Sequence, residues 1–259
     1  MTKSIRALDR GLVVLEMLDR QGATSLADLS RATSLSKATL LRVLQTLVER
    51  GWAYRRVNDG CYTLAIAPGS RDPAGIQRTQ IARIGESILR TLSQITGFPA
   101  DLTIVVEPGI LEVIESTRTR IEGGVDPFVA GFRPSLVFSS PGRALLAACD
   151  EPSRQTHLEH ILRTDSPAER FFITSGALTK EIRRTTERGY AIRESGYWPD
   201  SSDYGEEPMD IAVPIGRTDE PVGCISIVWP TSQHQLEEVV TKHFANLKLV
   251  AEELSQSIY

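Results

Sequence analysis

The stretch that decides the fold is 34-SLSKATLLRVLQTLVERG-51, because one helical repeat in it has two sides of different chemistry. Four apolar residues recur at the spacing of one helix face, which predicts that they are buried together: Leu40, Leu44, Leu47 and Val48. Four polar or cationic residues crowd the beginning of the other side: Ser36, Lys37, Thr39 and Arg42. The helix is therefore predicted to pack inward on one side and to meet a partner with the other.

Two further helices are predicted before this stretch. Apolar residues at steps of three and four predict a helix over residues 5–20, which Gly22 ends. Ser25, with Asp28 three residues later, is typical of the beginning of a second helix over residues 26–32. Ser36 is the predicted N-cap of the third helix, and Gly51 follows its end, where a left-handed backbone is tolerated.

A β-hairpin is predicted after the helices. The β-prone runs WAYRRV (52–57) and CYTLA (61–65) flank a turn at residues 58–60, and this order of elements is typical of a winged helix-turn-helix. Residues 1–68 contain ten Lys and Arg against six Asp and Glu, whereas the remainder contains nineteen against twenty-seven. A basic segment on an acidic chain is expected when only that segment approaches a polyanion.

Duplex DNA is the partner that this pattern favours. The second helix of such a motif, here the third of the chain, places its N-terminal residues in the major groove, where an Arg can bind guanine with two hydrogen bonds. The predicted DNA contacts are Ser36, Lys37, Thr39 and Arg42 in the helix, and Arg55, Arg56 and Asn58 in the hairpin. The alternative is an amphipathic helix whose polar side only faces solvent, and it explains neither the hairpin arginines nor the basic excess.

A linker and a larger second domain are predicted beyond the hairpin. Residues 67–75, APGSRDPAG, favour turns, and a helix over residues 76–95 follows. Strand-like runs at 101–107, 110–117, 190–195, 210–215 and 222–228 are interleaved with helical segments at 141–148, 178–188 and 235–258, which predicts an α+β fold with an antiparallel or mixed sheet. The predicted division is 1–68 for the winged helix-turn-helix, 69–97 for the linker and linker helix, and 98–259 for the second domain.

Several other protein classes lack their signals in this sequence. No run of about 18 apolar residues could span a membrane, so a cytoplasmic protein without a membrane partner is predicted. No nucleotide-binding or hydrolase motif follows a strand-like run, and neither a cofactor nor an enzymatic activity is predicted. The cysteines Cys61, Cys149 and Cys224 are too scattered for a disulfide framework or a four-thiolate zinc site. His157 and His160 could share a metal ion, but surface histidines are the prediction because no third ligand accompanies them.

The chain resembles the IclR-type bacterial transcription regulators over nearly its whole length. The similarity lies in IRALDRGLVVLEML, LADLSRATSLSKATLLRVLQTLVERGW and YTLA, and later in SSPGRALLA, LTKEIRRTTERGYAI and IAVPIGRTDEPVGCISIV. The resemblance implies a winged helix-turn-helix, a linker helix and a GAF-like effector-binding domain, assembled as dimers or tetramers on an operator. The last third is similar to activators of hydroxyphenylpropionate catabolism, which implies an aromatic acid as effector.

The resemblance also implies an effector site, whose residues would be Ser139, Ser140, Asp210, Cys224 and Ser226. Pro141 is a good first residue of a helix, where free N–H groups would suit a carboxylate, although either serine could merely cap that helix. The family usually has a small residue at the position of Pro141, so the wall of the site is expected to differ there. Ser226 interrupts an apolar strand, and its hydroxyl needs either a ligand or a backbone carbonyl as partner.

Three further residues near this site have alternative interpretations. Tyr197 and Trp198, in the polar segment ESGYWPDSSDYGEE, would cover an aromatic ligand or pack locally. Arg143 would pair with an acidic ligand, but a solvated position at the surface is the prediction.

The predicted function is that of a ligand-responsive transcription regulator. Its predicted partners are a double-stranded DNA operator, a small organic and in particular aromatic carboxylate, and further copies of itself. Two alternatives stay open, namely a second domain that only oligomerises and a small-molecule enzyme that carries a DNA-binding appendage.

Overall fold

Serine caps begin two of the three helices near the N-terminus. The structure is a computed structural model that describes residues 5–50, 52–56, 60–64, 73–118, 131–163, 166–197 and 208–259. The side-chain oxygens of Ser25 and Ser36 accept hydrogen bonds from the backbone N–H groups of Asp28 and Thr39, respectively. The elements are α1 (Arg6–Gln21), α2 (Leu26–Thr33) and α3 (Lys37–Glu49), followed by the antiparallel strands β1 (Ala53–Arg55) and β2 (Tyr62–Leu64). The predicted winged helix-turn-helix order is confirmed, with strands shorter than predicted. Gly51 lies outside the described residues.

The apolar faces of these elements form a core of their own. Its buried residues come from all three helices and from the hairpin: Val14, Leu18, Leu29, Leu40, Leu44, Ala53 and Tyr62. The chain divides into two units, Met1–Arg83 and Ile84–Tyr259, and the boundary lies inside α4 (Pro73–Thr96). This boundary falls within the segment 69–97 that was predicted as the linker, and the division into 1–68, 69–97 and 98–259 stays a prediction.

The second unit is built on an antiparallel sheet. Five strands lie in the order β4-β3-β7-β6-β5, with the bounds β3 (Ala100–Glu107), β4 (Ile110–Ser116), β5 (Ala191–Ile192), β6 (Pro208–Arg217) and β7 (Glu220–Pro230). Besides the part of α4 from Ile84 onward, its helices are α5 (Ser140–Ala148), α6 (Glu151–Arg163), α7 (Pro167–Thr174), α8 (Ala177–Arg188) and α9 (Leu236–Ile258). The α+β class is confirmed, and of the predicted antiparallel and mixed sheets the antiparallel one is present.

One face of this sheet collects polar side chains beneath α5. Asp101 on β3 is directly opposite Ser116 on β4 and Ser226 on β7, and directly opposed residues share a face. Ala212 on β6 is opposite Ser226, so Asp210, two residues earlier, lies on the same face. Helix α5 packs on β6 and β7 and covers this face. The sheet register therefore brings polar residues from four strands together.

Candidate functional site

Helix α3 buries one face and exposes the other, as DNA recognition requires. Leu40 is fully buried, whereas Lys37 and Arg42 are exposed and Thr39 is half-buried. Ser36 is exposed, and its hydroxyl caps the helix, with 3.3 Å between Ser36 Oγ and the backbone nitrogen of Thr39. The predicted helix contacts are thus accessible from outside the first unit.

The outward face of α3 contains three further residues that the sequence analysis did not single out. Ala38, Leu41, Arg42 and Gln45 are all exposed and follow the spacing i, i+3, i+4 and i+7, which places them on one helix face. Of these four residues, only Arg42 was predicted from the sequence, because of its polarity. The same spacing, counted from Ala38, identifies the other three from the sequence.

The hairpin presents one arginine at the surface beside its turn. Arg55 is exposed, its Nε donates to the carbonyl of Gly60 at 3.1 Å, and its guanidinium lies 5.9 Å from the ring centroid of Tyr62. Arg56 is half-buried, and its backbone N–H donates to the carbonyl of Cys61 at 2.8 Å. Asn58, the third predicted contact of the hairpin, lies outside the described residues.

A cavity of about 30 Å³ lies in the second unit, on the polar face of the sheet. Four of the predicted effector residues line it: Ser139, Tyr197, Asp210 and Ser226. The other lining residues are Asp101, Thr103, Val113, Arg118, Phe132, Pro134, Pro141 and Arg193. Ser140 and Cys224, which were also predicted, are fully buried beside the cavity and do not line it.

Two buried ion pairs form part of the cavity wall. Arg193 Nε donates to Asp210 Oδ1 at 2.6 Å, and Ser140 Oγ donates to the other oxygen of Asp210. Arg118 Nε lies 3.1 and 3.0 Å from the two carboxylate oxygens of Asp101. Buried charges are tolerated only when they are paired and hydrogen-bonded, and both pairs meet this condition. Neither arginine was identified from the sequence, where TRTR and AIRES are typical of solvated segments.

The beginning of α5 differs from the prediction of free N–H groups for a carboxylate. Ser139 Oγ accepts the N–H of Gly142 at 3.0 Å and donates to the carbonyl of Ser135 at 2.6 Å. Pro141 has no N–H to offer. The capping alternative is therefore correct for Ser139, while Ser140 turns its hydroxyl to Asp210. An acid in the cavity would have to be recognised mainly by side chains.

Ser226 and Cys224 lie two residues apart on β7 and have different surroundings. Ser226 is 3% exposed, and its hydroxyl makes no hydrogen bond to any residue in the described part of the chain. Cys224 Sγ donates to the carbonyl of Pro141 at 3.1 Å, and burial raises the pKa of this thiol well above 9.0. Ser226 is thus available to a ligand, whereas Cys224 is a neutral thiol engaged by the backbone.

Tyr197 closes one side of the cavity. Its hydroxyl accepts the backbone N–H of Ser135 at 2.9 Å, and its ring lies 5.7 Å from that of Phe138 between centroids. Burial raises the pKa of Tyr197 above its ordinary 10.0, so the phenol is neutral. Tyr197 therefore packs locally against Phe138 and also lines the cavity. Trp198 lies outside the described residues.

Arg143 is not the solvated surface residue that was predicted. It is 2% exposed because α5 is covered by the sheet on one side and by α8 on the other. Its Nε donates to the carbonyl of Val137 at 2.8 Å, its Nη2 contacts the carboxylate of Glu194, and its guanidinium lies 5.5 Å from the ring centroid of Phe172. Arg143 is therefore a structural residue of the second unit.

The histidine pair of α6 has a structural contact. His157 Nδ1 accepts the backbone N–H of Gly109 at 2.9 Å, in the turn between β3 and β4. Within the described ranges, no three His, Cys, Asp or Glu side chains are arranged to hold a metal ion. In the same part of the chain, no helix is both long and apolar enough to cross a membrane.

Two successive parts of the chain match models of the same protein family. Residues 7–56 match the IclR helix-turn-helix domain, and residues 73–256 match the bacterial transcriptional regulator IclR C-terminal. The HTH-type transcriptional regulator BhcR of Paracoccus denitrificans (strain Pd 1222) is 28% identical over 193 residues, which are 73% of this chain and 66% of BhcR. The HTH-type transcriptional regulator KdgR of Escherichia coli (strain K12) is 26% identical over 247 residues, with coverages of 92% and 89%.

Solved structures show the same fold. IclR of Thermotoga maritima superimposes with a TM-score of 0.53 at 20% identity, over 98% of this chain and 99% of that one. An IclR homolog from Microbacterium hydrocarbonoxydans, complexed with 4-hydroxybenzoate, gives a TM-score of 0.54 at 21% identity, over 97% and 98%. The named relatives are transcriptional regulators. The winged helix-turn-helix, the fold of the second unit and both domain matches together show that this chain belongs to the IclR family of ligand-responsive bacterial transcriptional regulators.

Proposed function

We propose that this regulator binds its operator through α3 and the hairpin, and that a small organic acid in the cavity of the second unit changes its affinity for DNA. The observation that carries the effector site is the unengaged hydroxyl of Ser226 in a cavity that is also lined by Arg118 and Arg193. Guanidinium groups recognise carboxylates with directed hydrogen bonds. The 4-hydroxybenzoate in the Microbacterium structure supports an aromatic acid as the effector of this chain. DNA binding implies that the protein acts in the cytoplasm.

A thermal-shift screen against phenolic and aliphatic acids tests the effector site. A ligand at 100 times its dissociation constant adds about 2.7 kcal/mol to the free energy of unfolding. Ser226→Ala should reduce the shift that an active acid produces, while operator affinity without acid stays unchanged. Ser257→Ala, an exposed serine of α9, is the matched control. An unaltered acid titration in the Ser226 variant would remove that residue from the site.

The screen also separates the proposal from its alternatives. If no acid or other metabolite shifts the thermal midpoint, the second domain only oligomerises. If purified protein converts an aromatic acid to a product, the domain has an enzymatic activity that its regulator relatives do not indicate.

Two arginine variants test the proposed DNA surface. Arg42→Ala should weaken operator binding and relax the sequence preference at one base pair, worth about 1–3 kcal/mol for a bidentate contact. Arg55→Ala should weaken binding to every duplex and reduce the slope of affinity against salt concentration by about one unit. Fluorescence anisotropy at several salt concentrations measures both effects. Unchanged operator affinity of Arg42→Ala at fixed salt would contradict the assignment of α3.

We also propose that two copies associate through exposed leucines of α1, at the edge of a groove of the first unit. The groove has a volume of about 880 Å³; its α1 side includes Leu12 and Leu15, and its α3 side includes Thr39 and Arg42, which the proposal leaves to DNA. Leu8 and Leu12 of α1 line it while remaining 59% and 50% exposed. Leu8 and Leu12 of one copy can pack against the same two residues of a second copy, which is the self-complementarity of a twofold interface. A twofold dimer would present two copies of α3 to a palindromic operator.

A further inference from the structure

The outward face of α3 carries both apolar and polar side chains. Leu41 is 47% exposed and lies beside Arg42, while Gln45 follows one turn later on the same face. Gln45 Nε2 donates to Glu49 Oε1 at 3.0 Å, so its amide points along the helix surface. A branched four-carbon side chain thus stands among the groups that would face DNA.

The exposed side chain of Leu41 belongs neither to the core nor to the groove of the first unit. The core takes Leu40 and Leu44 from the opposite side of α3. The proposed self-association uses leucines of α1, and Leu41 does not line the groove beside them. Leu41 therefore differs from the exposed leucines of α1, which line that groove.

Among the major-groove edges of the bases, the group that fits such a side chain is the 5-methyl group of thymine. The other edges present hydrogen-bond donors and acceptors, whose water an apolar side chain would displace without replacing the bond. Contact with the methyl group instead removes apolar surface from water on both partners.

We propose that Leu41 reads a thymine 5-methyl group in the operator, at a base pair adjacent to the one that Arg42 contacts. This inference rests on the proposed function of α3 as the DNA-reading helix. It makes Leu41 a specificity-determining residue and gives the operator half-site a preferred thymine. Burying one methyl group is expected to change affinity about fourfold per half-site, hence about fifteenfold for a dimer on two half-sites.

The test begins with duplexes that the full chain selects from a randomised double-stranded library. Each thymine of a selected duplex is then replaced in turn by deoxyuracil, which keeps the pairing and the O4 acceptor and lacks only the methyl group. We expect one position per half-site to lose about fourfold in affinity. Leu41→Ala should bind thymine and deoxyuracil at that position equally, and alanine keeps the helix because its helix propensity is the highest. Leu249→Ala, at an exposed leucine of α9, should retain the wild-type preference.

Each outcome has a separate meaning. If no duplex is enriched, or if Arg42→Ala binds the selected duplex like the wild type, the proposed function of α3 fails first. If a specific duplex is bound but no deoxyuracil weakens it, the Leu41 proposal is overturned while the function stands. An equal loss on deoxyuracil in the wild type and in Leu41→Ala would assign the methyl contact to another residue.

Discussion

Each buried cation around the cavity lies against an acceptor of its own. Arg118 and Arg193 contact Asp101 and Asp210, and Arg143 contacts Glu194 and the carbonyl of Val137. Removing one partner of a buried pair leaves an uncompensated charge and costs about 3–5 kcal/mol. These contacts therefore hold the cavity wall, and variants of the neutral Ser226 are the better probes of ligand binding.

His157 gives the second unit a pH-dependent stability. Burial, and then the neighbouring charge of His160, lower the pKa of His157 below its ordinary value of 6.5. The unfolded chain therefore takes up a proton before the folded one, and stability is complete above pH 6.5 and is lost as the pH falls through the folded-state pKa. Protonation also removes the lone pair that accepts the N–H of Gly109. We expect the thermal midpoint of the wild type to fall on acidification.

The variant His157→Gln isolates this contribution. A glutamine carbonyl can accept the same N–H and does not titrate in this range, so the midpoint of the variant should fall less between neutral pH and mildly acidic pH. Burial also lowers the pKa of His243, whose contribution is common to both proteins and cancels in the difference. Parallel pH profiles of the two proteins, measured by calorimetry, would contradict the prediction.

At the scale of elements, local signals in the sequence were sufficient for the first unit. Ser25 and Ser36 cap helices through hydrogen bonds to residues only three positions later, and such local pairs can be predicted from a single sequence. The ion pairs of the cavity each join residues 17 positions apart and depend on sheet register. Periodicity does not specify register, so Arg118 and Arg193 were missed. Arg143 was misplaced because its burial depends on the packing of α5 between the sheet and α8.

The contact between α5 and the segment before it depends on Gly142. A Cβ atom at this position would lie 2.3 Å from Leu136 Cα and 2.5 Å from its carbonyl oxygen. Backbone atoms cannot move aside cheaply, so Gly142→Ala should lower the free energy of unfolding by about 1–3 kcal/mol despite the better helix propensity of alanine. Chemical denaturation measures the loss. The control Ala147→Gly, in the same helix, should cost about 1 kcal/mol through propensity alone. A stabilised Gly142→Ala variant would show that the close approach is absent.

At the scale of the whole molecule, self-association should depend on α1. Leu12→Ser places a hydroxyl in the proposed groove and removes about 2 kcal/mol of apolar burial at each of two symmetric sites. The dissociation constant of a dimer formed there should rise about a thousandfold, because each 1.4 kcal/mol is a factor of ten. Sedimentation equilibrium over a range of concentrations measures it. Leu249→Ser, at an exposed leucine outside the groove, is the control, and equal behaviour of the two variants would place the interface elsewhere.

The small size of the cavity proposed for the effector bears on the affinity that the regulator would have for its ligand. Since a water molecule needs about 10–15 Å³ of such space, the cavity volume of about 30 Å³ admits only a few waters and excludes a benzene ring. The proposed aromatic acid would enter only those molecules in which the wall has already opened, and its apparent affinity would fall in proportion to that fraction. The opened cavity would then bind the acid tightly, while the apparent affinity measured for all molecules would be low. A regulator of this kind would respond to the proposed acid only after the acid has reached a high concentration.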